Sequence, residues 1–154
     1  MDINSCRLDI YDHIEKVRKY LRIFTDKLTD RGLSHDASKL TAPELQLFAD
    51  HSDNISQLEY GSEEYKKNLK ELQPALEHHY AVNRHHPQHF PDGIEGMNLV
   101  DIMEMIADWK ASSERYKNGN LLKSIELNAE RFGIDNQLKQ IMLNTIKMLE
   151  EQEQ

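Results

Sequence analysis

An all-α fold, built as a single compact helical bundle, is predicted by three observations. Apolar residues recur at three- and four-residue spacing along most of the chain. No segment shows convincing strand alternation. The breaks between periodic segments fall at glycine, proline and capping residues. The chain has 154 residues, 38% of them hydrophobic and 30% charged, which suits one domain over 1–154 with a core of its own. With 27 acids against 19 bases the formal net charge is -8. That balance argues against a nucleic-acid duplex as the main partner, because phosphate backbones are bound by basic surfaces. The single cysteine, Cys6, leaves no intrachain disulfide framework, and a reducing, cytoplasmic setting is expected. Met1-Asp2-Ile3-Asn4 has neither a basic n-region nor an apolar h-region, so no signal peptide is expected. No apolar run approaches the roughly 18 residues of a membrane span, and no membrane partner is expected.

The elements follow in order. Ile10, Ile14, Val17, Leu21, Phe24 and Leu28 keep three/four spacing, which predicts a first helix over about residues 5–30 that ends at Arg31-Gly32. A short helical turn carries His35 to Lys39. Thr41-Ala42-Pro43-Glu44 resembles a capping box, with Pro43 in the first turn and Glu44 reaching back to the cap, opening a helix to about Asp50. Residues 51–61 are polar and end in Gly61, predicting a loop; Ser62 caps the helix that begins at Glu63. Pro74 starts or kinks a stretch carrying His78 to His85, and Pro87 disfavours helix at His86. Residues 87–96 are expected as a loop. Asn98 caps the next helix with Asp101 at its third position, and Ile102, Met105, Ile106 and Trp109 form its apolar stripe to an end near Asn118-Gly119. Two more helices are predicted at about 121–131 and 136–151. The second turns Leu138, Ile141, Met142, Thr145, Met148 and Leu149 inward, with a frayed tail from Glu150 to Gln154.

Eight histidines are many for this length, and five of them, His78, His79, His85, His86 and His89, fall in one window. On a continuous helix His79, Asn83 and His86 would share one face. His35 and Asp36 form an adjacent imidazole–carboxylate pair. His13 and Asp108 border the apolar stripes of their helices, where the lining of a pocket between helices is found. Imidazole and carboxylate together suit borderline divalent ions, Mn, Fe, Co, Ni or Zn, one or two per chain. Such an ion can lower the pKa of water toward neutrality. Simpler roles stand beside these. His13 alone reads as a partly buried histidine, Glu44 as a capping residue, Asp101 as a first-turn acid, His51 and His89 as surface residues, and Cys6 and Trp109 as core.

The order of His13, His35-Asp36, the later histidines and Asp108 resembles the HD-domain superfamily of metal-dependent phosphohydrolases. The resemblance implies a helical fold in which His13, His35, Asp36 and Asp108 hold a first metal, and His79 with His85 or His86 completes the shell or holds a second. The segment His35-Asp36-Ala37-Ser38-Lys39 is similar to one in HD-type 5'-deoxynucleotidases, but Lys39 stands where those enzymes carry an acid. It implies a catalytic role for Asp36 and for Lys39, the latter stabilising negative charge on a phosphate. A closer resemblance is to small bacterial and phage proteins that share three segments, here His35–Lys39, His79–Pro87 and Glu104–Trp109. Asn83, His85 and Glu104 are then expected to support the ligands or meet the substrate. The implied partner is a small phosphorylated molecule or nucleotide, in a bacterial cell or phage-infected host, and self-association is compatible with the sequence. A non-catalytic metal- or nucleotide-binding module and an iron-dependent oxygenase are the alternative expectations.

Overall fold

The computed structural model describes residues 2–55, 63–115 and 120–152. Among them every regular element is helical, as the periodicity predicts: six α-helices joined in places by short 3-10 turns. The chain divides into two compact units, Met1–His35 and Asp36–Gln154.

The first unit is one helix, α1, over Ile3–Ser34. Asp2 caps it, accepting from the backbone N–H groups of Asn4 and Ser5 at 2.8 and 3.1 Å. The helix runs through Gly32, which was expected to end it, and stops only at the His35 C-cap. Asp36 then takes the left-handed conformation at φ 55° that glycine usually supplies; its short polar side chain is among the few that tolerate it. No residue of α1 is buried. The expected stripe is present in sequence, but Ile10, Val17, Leu21 and Phe24 are exposed. Periodicity identifies the face a helix can bury without identifying what covers it. Cys6, expected in a core, is exposed.

The second unit holds the core. Its helices are α2 (Glu44–Ile55), α3 (Glu63–Val82), α4 (Leu99–Glu114), α5 (Leu121–Phe132) and α6 (Asn136–Gln152). Met105 and Ile106 of α4, Leu121, Ile125 and Ala129 of α5, Ile134, and Met142 and Ile146 of α6 form a buried cluster. Trp109 packs at its edge, its ring stacked on that of Phe132 at 6.4 Å between centroids. The α4 stripe and its Asn98–Asp101 capping box match expectation. In α6 the inward face is rotated: Met142 and Ile146 are buried, while Ile141 and Met148, expected inside, are exposed. A helix with apolar residues on more than one face leaves this choice to its neighbours. The helix continues through Gln152 rather than fraying from Glu150; residues 153 and 154 lie outside the described ones.

Three other boundaries differ from expectation. Residues 51–55, expected in a loop, close α2. Helix α4 ends at Glu114 with Arg115 as its C-cap, before the end expected near Asn118-Gly119, and the rest of the 51–61 loop, Gly61, the Ser62 cap and residues 118 and 119 lie outside the described residues. Helix α3 is continuous across Pro74, which therefore does not start it, and ends at Val82, so His85 and His86 sit in the turn beyond it.

Candidate metal centre

The second unit gathers a small set of polar side chains. Asp36 and the following 3-10 turn, Ala37–Leu40, lie at its start. Glu44 opens α2, His78 and His79 lie in the last turns of α3, His85 and His86 follow it, and Glu104 and Asp108 lie on α4. A helical face was expected to unite His79, Asn83 and His86. They do come together, but a turn does it: Asn83 keeps one last helical bond, its N–H to the His79 carbonyl at 3.0 Å, and the chain then folds His85 and His86 back. The buried Pro87 starts the next 3-10 turn.

The distances are short. His79 Nε2 lies 2.9 Å from His86 Nε2 and 3.3 Å from Asp36 Oδ1, and His85 Nε2 lies 3.5 Å from the same oxygen. Asp36, His79, His85 and His86 each offer a ligand atom, all within 4.8 Å of one another. Two ligands at about 2.1 Å from one ion are about 3.0 Å apart at a right angle and about 3.4 Å apart in a tetrahedron. The observed separations fit that spacing. Carboxylate oxygens of Asp36 and Asp108 also come within 4.8 Å, an approach that a cation between them favours. Both His85 and His86 therefore reach the cluster, where the sequence left a choice between them.

The surrounding groups orient these atoms. Glu44 is fully buried; its Oε2 accepts from His79 Nδ1 at 2.9 Å and its Oε1 from His78 Nδ1 at 2.7 Å. The expected capping role for Glu44 is thus corrected: the local pattern allowed a bond back to Thr41, and a partner 35 residues away takes the carboxylate instead. The Thr41 hydroxyl donates to the Ser38 carbonyl. Glu104 Oε1 lies 3.1 Å from His85 Nδ1. Asn83 donates through Nδ2 to Ser38 Oγ at 2.8 Å and to the His79 carbonyl at 2.9 Å. Lys39 Nζ donates to Asp36 Oδ2 at 2.6 Å, so one oxygen of Asp36 faces the imidazoles and the other a lysine. Glu44 and Ser38 are the members that sequence reasoning missed.

Burial, with the nearby Lys39 charge, holds His79 below the ordinary imidazole value. Burial, with the neighbouring His85 and His79, pushes His86 down to about 3. For Glu44, burial acts to raise the carboxyl, but hydrogen bonds from His78, Ser38 and His79 outweigh it and the net shift is downward. Imidazoles kept neutral and carboxylates kept ionised are the states that bind metal.

A pH dependence follows. Between about 3 and 6.5 the unfolded chain binds protons that His86, and in part His79, refuse when folded, so stability rises with pH there. Metal-free protein is expected to melt progressively lower as pH falls through 6.5, with Glu44 adding to the loss below its ordinary value of 4.5. Thermal melts in chelator at pH 7.5, 6.0 and 5.0 check this; a flat melting temperature would contradict it.

The other expected ligands lie in the first unit. His13 is exposed in mid-α1, and His35 is the half-buried residue that closes α1 just before Asp36. His51 and His89, expected at the surface, are half-buried; His89 Nδ1 donates to the Tyr80 carbonyl at 3.0 Å. The model of a family described as a family of unknown function, DUF5662, matches residues 2–152. The chain belongs to the DUF5662 family. Comparison of this DUF5662 chain with curated proteins and with solved structures finds no match. No helix of its described residues is long and apolar enough to cross a membrane.

Proposed function

We propose that this DUF5662 protein is a metal-dependent phosphohydrolase of HD-domain type, acting on a phosphoester in a small molecule or nucleotide. The observation that carries the proposal is the convergence of Asp36, His79, His85 and His86, three imidazoles and a carboxylate with ligand atoms inside one 4.8 Å sphere of mutual distance. That mixed donor set suits Mn, Fe, Co, Ni or Zn rather than the all-oxygen shell of Mg or Ca. Asp108 stands close enough to Asp36 to join the shell or help hold a second ion. A divalent ion held there would activate water near neutral pH and draw electron density from a phosphoryl oxygen.

The residues around the cluster take complementary roles. Lys39, on the outer oxygen of Asp36, places a positive charge beside the site, where it can stabilise the charge of a phosphate in the transition state. Asn83 and Ser38 fix the backbone and hydroxyl next to His79. The test is phosphatase activity of protein loaded separately with each of the five metals, against p-nitrophenyl phosphate and a set of nucleotides. Metal-dependent release of phosphate, lost in Lys39→Ala by at least tenfold, is the expected result. Metal uptake without turnover of any phosphoester would replace the proposal by a binding module, and dioxygen consumption with iron by an oxygenase.

A further inference from the structure

We infer that Glu44 is a positioning residue for the metal centre: by gripping Nδ1 of His79 it keeps Nε2 of that ring turned toward Asp36 and His86, and so sets the affinity of the site without touching the ion. This rests on the proposed metal site. An ionised carboxylate can only accept hydrogen bonds, so each of its two short contacts requires a proton on Nδ1 of the facing histidine. With Nδ1 of His79 protonated and the ring neutral, the lone pair must lie on Nε2, the atom that points at His86 Nε2 and Asp36 Oδ1. This is the carboxylate–histidine arrangement that orients metal ligands and raises their basicity. It recurs on the opposite side, where Glu104 lies on Nδ1 of His85 and Nε2 of His85 faces the same Asp36 oxygen.

Burial separates this role from simple cross-linking of α2 to α3. Burying a carboxylate fully is costly, and an apolar residue would join two helices more cheaply. His78 takes the other oxygen of Glu44, but its side chain is 39% exposed and it lies outside the ligand cluster. The two histidines therefore allow the two roles to be measured apart. His78→Ala removes one bond between the helices and leaves the Glu44–His79 contact; Glu44→Gln keeps the shape and removes the charge that holds His79.

The test is Co(II) affinity, measured by competition with a chelating dye, together with the Co(II) absorption spectrum. Glu44→Gln is expected to bind Co(II) about 10–100-fold more weakly than wild type, with an altered spectrum. His78→Ala is expected to lower the melting temperature while holding affinity within about threefold, since a single exposed partner rarely shifts a site by more. Wild-type affinity and spectrum in Glu44→Gln would overturn the inference and leave the metal site standing. Failure of wild-type protein to take up any divalent ion would overturn both. If circular dichroism shows that Glu44→Gln does not fold, Glu44→Asp gives the same readout, because it keeps the charge but withdraws it by one methylene from His79; unchanged affinity there would count equally against the role.

Discussion

Asp36→Asn is expected to weaken divalent-metal binding by more than about 100-fold, because loss of an inner ligand exceeds the 10–100-fold that loss of a supporting hydrogen bond costs. The substitution isolates the ligand from the backbone. Asp36 sits at φ 55°, and asparagine tolerates that region as well as aspartate does. What changes is charge. The oxygen facing His79 at 3.3 Å and His85 at 3.5 Å becomes a neutral acceptor, and Lys39 loses the anion it holds at 2.6 Å. A positive charge left without its counter-charge then opposes an incoming cation. Calorimetric titration with Zn(II) or Mn(II) checks this, with the melting temperature of the metal-free variant close to wild type. Retained affinity would remove Asp36 from the site and with it the oxygen on which the two imidazoles converge.

The second large effect concerns the support beneath the histidine turn. Arg84→Met is expected to destabilise the fold by about 2 kcal/mol, the range for leaving a buried carboxylate short of its hydrogen bonds and below that for a fully buried ion pair, because the Arg84 side chain is 41% exposed. Asp101 is fully buried, and Arg84 reaches both of its oxygens, from Nε at 3.1 Å and Nη2 at 2.9 Å. Pairing with Asp101 raises the guanidinium pKa. The same carboxylate closes the capping box of α4 through the Asn98 N–H, so it couples the turn before His85 to the helix bearing Glu104 and Asp108. The guanidinium also lies over the Phe90 ring at 4.8 Å. Met keeps length and apolar contact while leaving the carboxylate buried without its main cation. Urea denaturation should show a lower midpoint at unchanged slope. A loss under about 1 kcal/mol would mean that Asp101 is satisfied without Arg84.

The sequence was informative where the deciding interactions are local. The periodicity of Ile102, Met105, Ile106 and Trp109 and the Asn98–Asp101 box lie within one helix, and both appear as expected. The histidine window and Asp36 were legible because imidazole and carboxylate are unusual choices to concentrate on a helical surface. The route by which they meet was not legible: the helix ends at Val82 and a turn folds both His85 and His86 back to His79, whereas a continuous helix would have set His79 and His86 about 10 Å apart along its axis and turned His85 to another face. Glu44 was obscured by a local pattern that explained it cheaply, while its partners His78 and His79 lie 34 and 35 residues away. For the same reason the inward face of α6 was misjudged at Ile141 and Met148, since helical spacing alone does not choose between two apolar stripes.

The proposed site for a divalent metal is Asp36, His79, His85 and His86. Titration of Co(II) into metal-free wild type and His79→Ala, followed by visible absorption, tests it most directly. Wild type is expected to show saturable, stoichiometric uptake with a spectrum showing nitrogen ligands, and His79→Ala to lose it. No uptake by wild type, or the same spectrum and affinity in His79→Ala, would contradict it.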